Sequence, residues 1–120
     1  MSLGKTIYLY GTDASGRPIP RNRVTGMMGS AVACADCHAS DARGQTIEIM
    51  MSEVQVPDIR WSTLIAPPTE PGDVAFDSDS FFLAVAQGLD PTGATLKTFM
   101  PHWQLTRAES DAIIEYLKSQ

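Results

Sequence analysis

The chain has 120 residues, 43% of them hydrophobic and 19% charged, with a formal net charge of -5 at pH 7. That length points to one domain, the apolar share excludes a disordered chain, and the negative charge excludes a general attraction to nucleic acid. No run of about 18 apolar residues is present, so the sequence predicts no membrane-spanning helix. A chain this short buries a modest core, and a bound apolar group would supply much of its interior. Residues 1–3 lack the basic and apolar regions of a leader and read as an added scar where a natural leader has been removed.

Leu3, Ile7 and Tyr10 recur at helical spacing and predict a first helix over 3–10, stopped by Gly11. Gly11 to Pro20 is rich in turn formers and reads as a loop, with a short hairpin around Ala14-Ser15-Gly16. Arg17, Arg21 and Arg23 form one local basic cluster, read as a solvated loop or a docking patch for an acidic partner. Gly26 to Ser30 then leads into a stretch of small residues, Ala31, Ala33 and Ala35, around the two cysteines. Ala39 to Gly44 is a turn.

Ile47 and Ile49, then Val54 and Val56, alternate and predict two short extended pieces within 46–56. Pro57 ends that region. Asp58 to Ile65 is a short helix candidate, and Pro67 to Gly72 a rigid exposed loop. Asp77 caps a helix running to about Gln87, with Phe81, Phe82 and Val85 as its apolar face and Gly88 as its stop. Asp90-Pro91-Thr92-Gly93 is a turn. Thr106 and Glu109 form a capping box for a last helix to about Lys118, whose buried side is Ile113, Ile114, Tyr116 and Leu117.

Chemistry concentrates in Cys34-Ala35-Asp36-Cys37-His38, which holds both cysteines and one of the two histidines. C-x-x-C-H reads as a c-type haem attachment site. Two thiols serve the two vinyl groups of one haem c, and the imidazole of His38 falls under the iron as an axial ligand. Two cysteines at this spacing also suit a redox disulfide or half of a zinc site. The first needs a βαβ context that is missing. The second needs more ligands, and only His102 remains.

An electron-transfer iron wants a second protein ligand, and a thioether favours the ferrous state. Met27, Met28, Met50, Met51 and Met100 are the candidates, with His102 as the nitrogen alternative. Pro101 restricts Met100 to an extended backbone and stiffens the loop that would present its sulfur. Met27, Met28, Met50 and Met51 read as core or haem-packing residues. Trp61 and Trp103 read as haem-packing or core residues, with an indole N–H able to reach a propionate.

Cys34 to His38, Phe99-Met100-Pro101-x-Trp103 and the terminal helix ending Tyr116-Leu117-Lys118 together resemble the class I c-type cytochromes, over nearly the whole chain. Gly4 and Tyr8 match that family's first helix, whose glycine lets the terminal helix cross closely near an aromatic, here Tyr116. The resemblance implies that Met100 is the distal ligand. It also implies that the Pro57 carbonyl accepts a hydrogen bond from His38 and that Arg43 lies near a propionate. The segments 11–23 and 46–56 depart from the smallest members, and the resemblance gives them no role.

The expectation is therefore one all-α domain over 1–120, with a small cytochrome c-like fold in which the N- and C-terminal helices cross and loops wrap one haem. Its iron would be held by His38 and Met100, and its ring by Cys34 and Cys37. The implied function is one-electron transfer between redox partner proteins in the periplasm or another extracytoplasmic compartment, without enzymatic turnover. A haem-based sensor with a displaceable Met100, and an electron-entry domain of a larger oxidoreductase, are the alternatives.

Overall fold

A computed structural model describes residues 2–22, 33–49, 51–96 and 100–120. The expectations for Arg23, Gly26 to Ala31, Met27, Met28, Met50 and Phe99 fall outside these residues. In chain order the elements are α1 (Leu3–Tyr10), α2 (Ala35–His38), β1 (Gln45–Ile49), β2 (Ser52–Val56), α3 (Trp61–Leu64), α4 (Ser78–Gln87) and α5 (Arg107–Lys118).

The three longer helices begin where local chemistry satisfies their first amides. The Ser2 side chain accepts from Lys5 N at 3.2 Å and starts α1. Leu3 packs against the core. Asp77 and Ser80 form a reciprocal capping box for α4, as Thr106 and Glu109 do for α5. Gly11 and Gly88 end α1 and α4 as expected.

Helix α1 lies directly on α5. It buries Gly4, Ile7 and Tyr8, and α5 buries Ser110, Ile113, Ile114 and Leu117. Gly4 is required by the contact, because a Cβ there would stand 1.9 Å from the carbonyl oxygen of Ala112. Phe81 and Val85 of α4, with Ile19, Ala42 and Trp103 from connecting segments, complete the core. Burying such side chains stabilises a fold by about 1.5–3 kcal/mol each.

The domain is helix-rich but not purely helical. Residues 45–56 form an antiparallel two-stranded sheet with Ile47 opposite Val54, so the extended pieces read from the alternation are present and the all-α description does not cover them. The helix expected over 58–65 shortens to Trp61–Leu64, because the Asp58 carboxylate accepts from Arg60 N at 2.9 Å and holds a turn instead. Met51 is not a core residue. It sits at the hairpin turn with φ 67° and 93% of its surface exposed. The small hairpin near Ala14 is present, with Thr12 opposite Pro18 and Asp13 accepting from the Ser15 and Arg17 amides. Among the described residues no helix is long and apolar enough to cross a membrane.

Candidate functional site

Cys34 caps the short helix α2, which carries Cys37 and His38, and the Asp36 carboxylate closes its entry by accepting from Ala33 N at 3.0 Å. One helical turn then brings Cys34, Cys37 and His38 together, with His38 N donating to Cys34 O at 2.9 Å. The chain leaves through Ala39, at φ 69°. There the Tyr8 hydroxyl donates to Ala39 O at 2.6 Å and the Tyr116 hydroxyl to Ser40 O at 3.2 Å. Two tyrosines from the terminal helices, 5.2 Å apart between ring centroids, thus hold the backbone just past His38.

His38 is 7% exposed. Its Nδ1 lies 2.9 Å from the carbonyl oxygen of Pro57. A carbonyl only accepts, so Nδ1 carries the proton and Nε2 keeps its lone pair. Burial pushes the imidazole's pKa down, opposed by the bond to Pro57, which favours the charged ring. A neutral ring with one free nitrogen is the form that binds metals.

Gly44 makes this contact possible. Its N–H donates to His38 O at 2.9 Å. A Cβ on it would stand 2.2 Å from Val56 O and 2.8 Å from Pro57 O. Only a glycine lets the end of β2 come close enough for Pro57 to meet the histidine.

Cys34 and Cys37 are free thiols. Burial pushes the Cys34 thiol up to about 12, and burial with the Asp36 carboxylate raises Cys37. Both are the reverse of the thiolate-favouring setting of redox or metal-binding cysteines. Among the described residues no group of three His, Cys, Asp or Glu side chains gathers as a metal-ion site.

The two cysteines and His38 open on a cavity of about 460 Å³, within the range of cofactor sites. Met100 lines it, as do Phe81 and Val85 of α4 and the buried Trp103. The hairpin contributes Ile47 and Val56. Pro57 and Asp58 also border it. Two thiols, one imidazole nitrogen, one thioether and otherwise mainly apolar walls fit a flat, largely hydrophobic macrocycle such as haem.

The other candidate residues lie elsewhere. Arg43 is exposed and pairs with Asp41 at 3.7 Å. Trp61 packs edge-on to Phe81, with centroids 6.0 Å apart. His102 does not line the cavity; its ring lies over Gly88. Arg17 is exposed, while Arg21 forms a backbone bridge with Trp103. Sequence reasoning missed Tyr8 as a partner of Ala39, Asp58 at the rim and the whole hairpin as a wall. Only the hairpin left a local signal, its alternating Ile and Val residues.

A family model described as cytochrome c matches residues 25–120. No curated protein matches the chain significantly, and no solved structure does.

Proposed function

The chain belongs to the cytochrome c family, whose domains carry haem c in electron transfer, and on that premise we propose that it is a one-electron carrier with a single haem c. Cys34 and Cys37 would hold the ring through thioether bonds, and His38 and Met100 would ligate its iron. The observation that carries this reading is that Cys34, Cys37, His38 and Met100 border one mainly apolar cavity.

Bound there, haem c supplies a one-electron couple. The protein's own residues do the rest. Pro57 fixes the tautomer and orientation of His38, and such an outer bond raises the basicity of a ligating imidazole. Phe81, Val85, Trp103 and the hairpin side chains Ile47 and Val56 exclude water, which is one of the levers on a haem potential. If His38 and Met100 both held the iron, they would leave no open position for a substrate, in keeping with a carrier. Its partners are other redox proteins, with which an acidic surface is compatible. The compartment is periplasmic or otherwise extracytoplasmic, where haem attachment takes place.

Exported protein should gain the mass of one haem covalently, and Cys34→Ala with Cys37→Ala should lose it. The oxidised protein should show a weak far-red sulfur-to-iron band that Met100→Ala abolishes. A band that survives that substitution removes Met100 from the ligand set. Rapid carbon monoxide binding by the reduced protein at neutral pH would count against a simple carrier.

A further inference from the structure

Pro101 carries no N–H, so the first backbone donor after Met100 is the amide of His102. Its partner is not a backbone carbonyl but the side chain of Asn22, 80 residues away in sequence, whose Oδ1 accepts from it at 2.8 Å. Asn22 also acts in the other direction, its own N–H donating to His102 O at 3.2 Å. The pairing continues as Arg21 bridges Trp103 and Gln104 N donates to Pro20 O at 2.8 Å. Trp103 N is held from the opposite side by Val85 O at 2.8 Å.

The segment that ends in Asn22 is itself fixed. Ile19 is buried, and its amide donates to Gly11 O at 2.9 Å. Asp13 closes the turn between them by accepting from the Ser15 and Arg17 amides. Residues 11–22 therefore form a strap with one end at the C-terminus of α1 and the other on the backbone just after Met100 and Pro101.

We propose that Asn22 is a positioning residue for Met100. By holding both polar groups of the His102 backbone it fixes the exit of the Met100-Pro101 segment, and so sets how firmly Met100 keeps its place on the distal side. This rests on the reading of Met100 as an axial ligand. Because the bond to His102 N is made by a side chain, one substitution removes it and leaves the backbone bonds of Trp103 and Gln104 in place.

The test uses the haem-loaded full chain. Asn22→Ala should raise the rate at which carbon monoxide binds the reduced protein about tenfold, as expected for losing one hydrogen bond that holds the ligand loop. It should also weaken the far-red band of the oxidised protein and speed deuterium exchange at the His102 amide. Asn22→Asp keeps the acceptor oxygen and should behave like the parent. A purely structural role would lower the melting midpoint without moving the carbon monoxide rate, and would overturn the proposal. So would an Asn22→Asp protein as impaired as Asn22→Ala. Should Asn22→Ala yield no folded protein, Asn22→Ser shortens the side chain and carries the same expectations. Loss of the band in Met100→Ala with no change in Asn22→Ala overturns the Asn22 assignment alone. Survival of the band in Met100→Ala overturns both readings.

Discussion

The Tyr8 hydroxyl donates to the carbonyl oxygen of Ala39 across 2.6 Å, tying the N-terminal helix to the residue after His38. Tyr8 is fully buried, and burial, followed by the nearby Cys34 thiol, pushes its pKa far above the usual phenol range. It therefore remains a donor at any working pH. Ala39 needs such a restraint, since it turns the chain at φ 69°, a conformation unfavourable to a residue with a Cβ. The contact between α1 and α5 and the placement of the histidine are thus parts of one arrangement.

Tyr8→Phe keeps the ring against Tyr116 and removes only this bond. The Ala39 carbonyl is left partly buried and unpaired by Tyr8. The expected loss is about 1–2 kcal/mol, read as a lower denaturant midpoint at unchanged slope. An unchanged midpoint would mean that water replaces the hydroxyl at no cost.

Gly4→Ala tests the helix contact itself. The new Cβ would meet the Ala112 carbonyl group at 1.9 and 2.6 Å, and both atoms are backbone. Neither can rotate away, so α1 must move off α5. A loss of about 3 kcal/mol is expected, at the top of the range for overpacking, whereas Lys5→Ala on the exposed side of the same helix should cost under about 0.5 kcal/mol. Thermal unfolding of the two variants checks the difference.

The parts of this site that the sequence announces are those whose causes are local. Asp77 with Ser80 and Thr106 with Glu109 cap their helices from three residues away, and alternation at Ile47, Ile49, Val54 and Val56 marks the hairpin. Cys34 to His38 places three groups within one helical turn. The remainder depends on contacts between distant residues. Tyr8 meets Ala39 over 31 residues and Asn22 meets His102 over 80, and no spacing within a short window encodes either. Gly44 was visible as a turn residue, but its closeness to Val56 and Pro57 arises only after the hairpin folds back. Met51 misled because residue type suggests burial, while its place at a two-residue turn, between the paired Ile49 and Ser52, dictates exposure.

Asp58, at the cavity rim, should shape the acid limit of stability. Its carboxylate takes three contacts of 2.6–3.1 Å from the Arg60 side chain. Chiefly through that bonding its pKa falls from 3.8 to about 2. A depressed carboxyl pKa stabilises the folded chain above the unfolded value, and the stabilisation disappears as pH falls through the folded value. The window therefore runs from about pH 4 down to about pH 2. Asp58→Asn should flatten the fall in stability there and lower stability at neutral pH. Denaturant midpoints taken across that range decide it, and parallel curves for the two proteins would rule the contribution out.

Ser110 offers a change in the opposite direction. It is fully buried on α5, among Ile113, Ile114 and Leu117 on the helix's inner face. Its Oγ has no hydrogen-bond partner among the described residues. A desolvated, unpaired hydroxyl costs free energy, and alanine is also the better helix former. Removing the oxygen leaves a void smaller than a methyl group, so the packing penalty is small beside the gain. Ser110→Ala should stabilise the domain by about 1 kcal/mol, raising the melting midpoint without moving the visible spectrum of the haem-loaded protein. A destabilised variant would show instead that the hydroxyl has a bound partner, and the position of that partner against α5 would then be the thing to find.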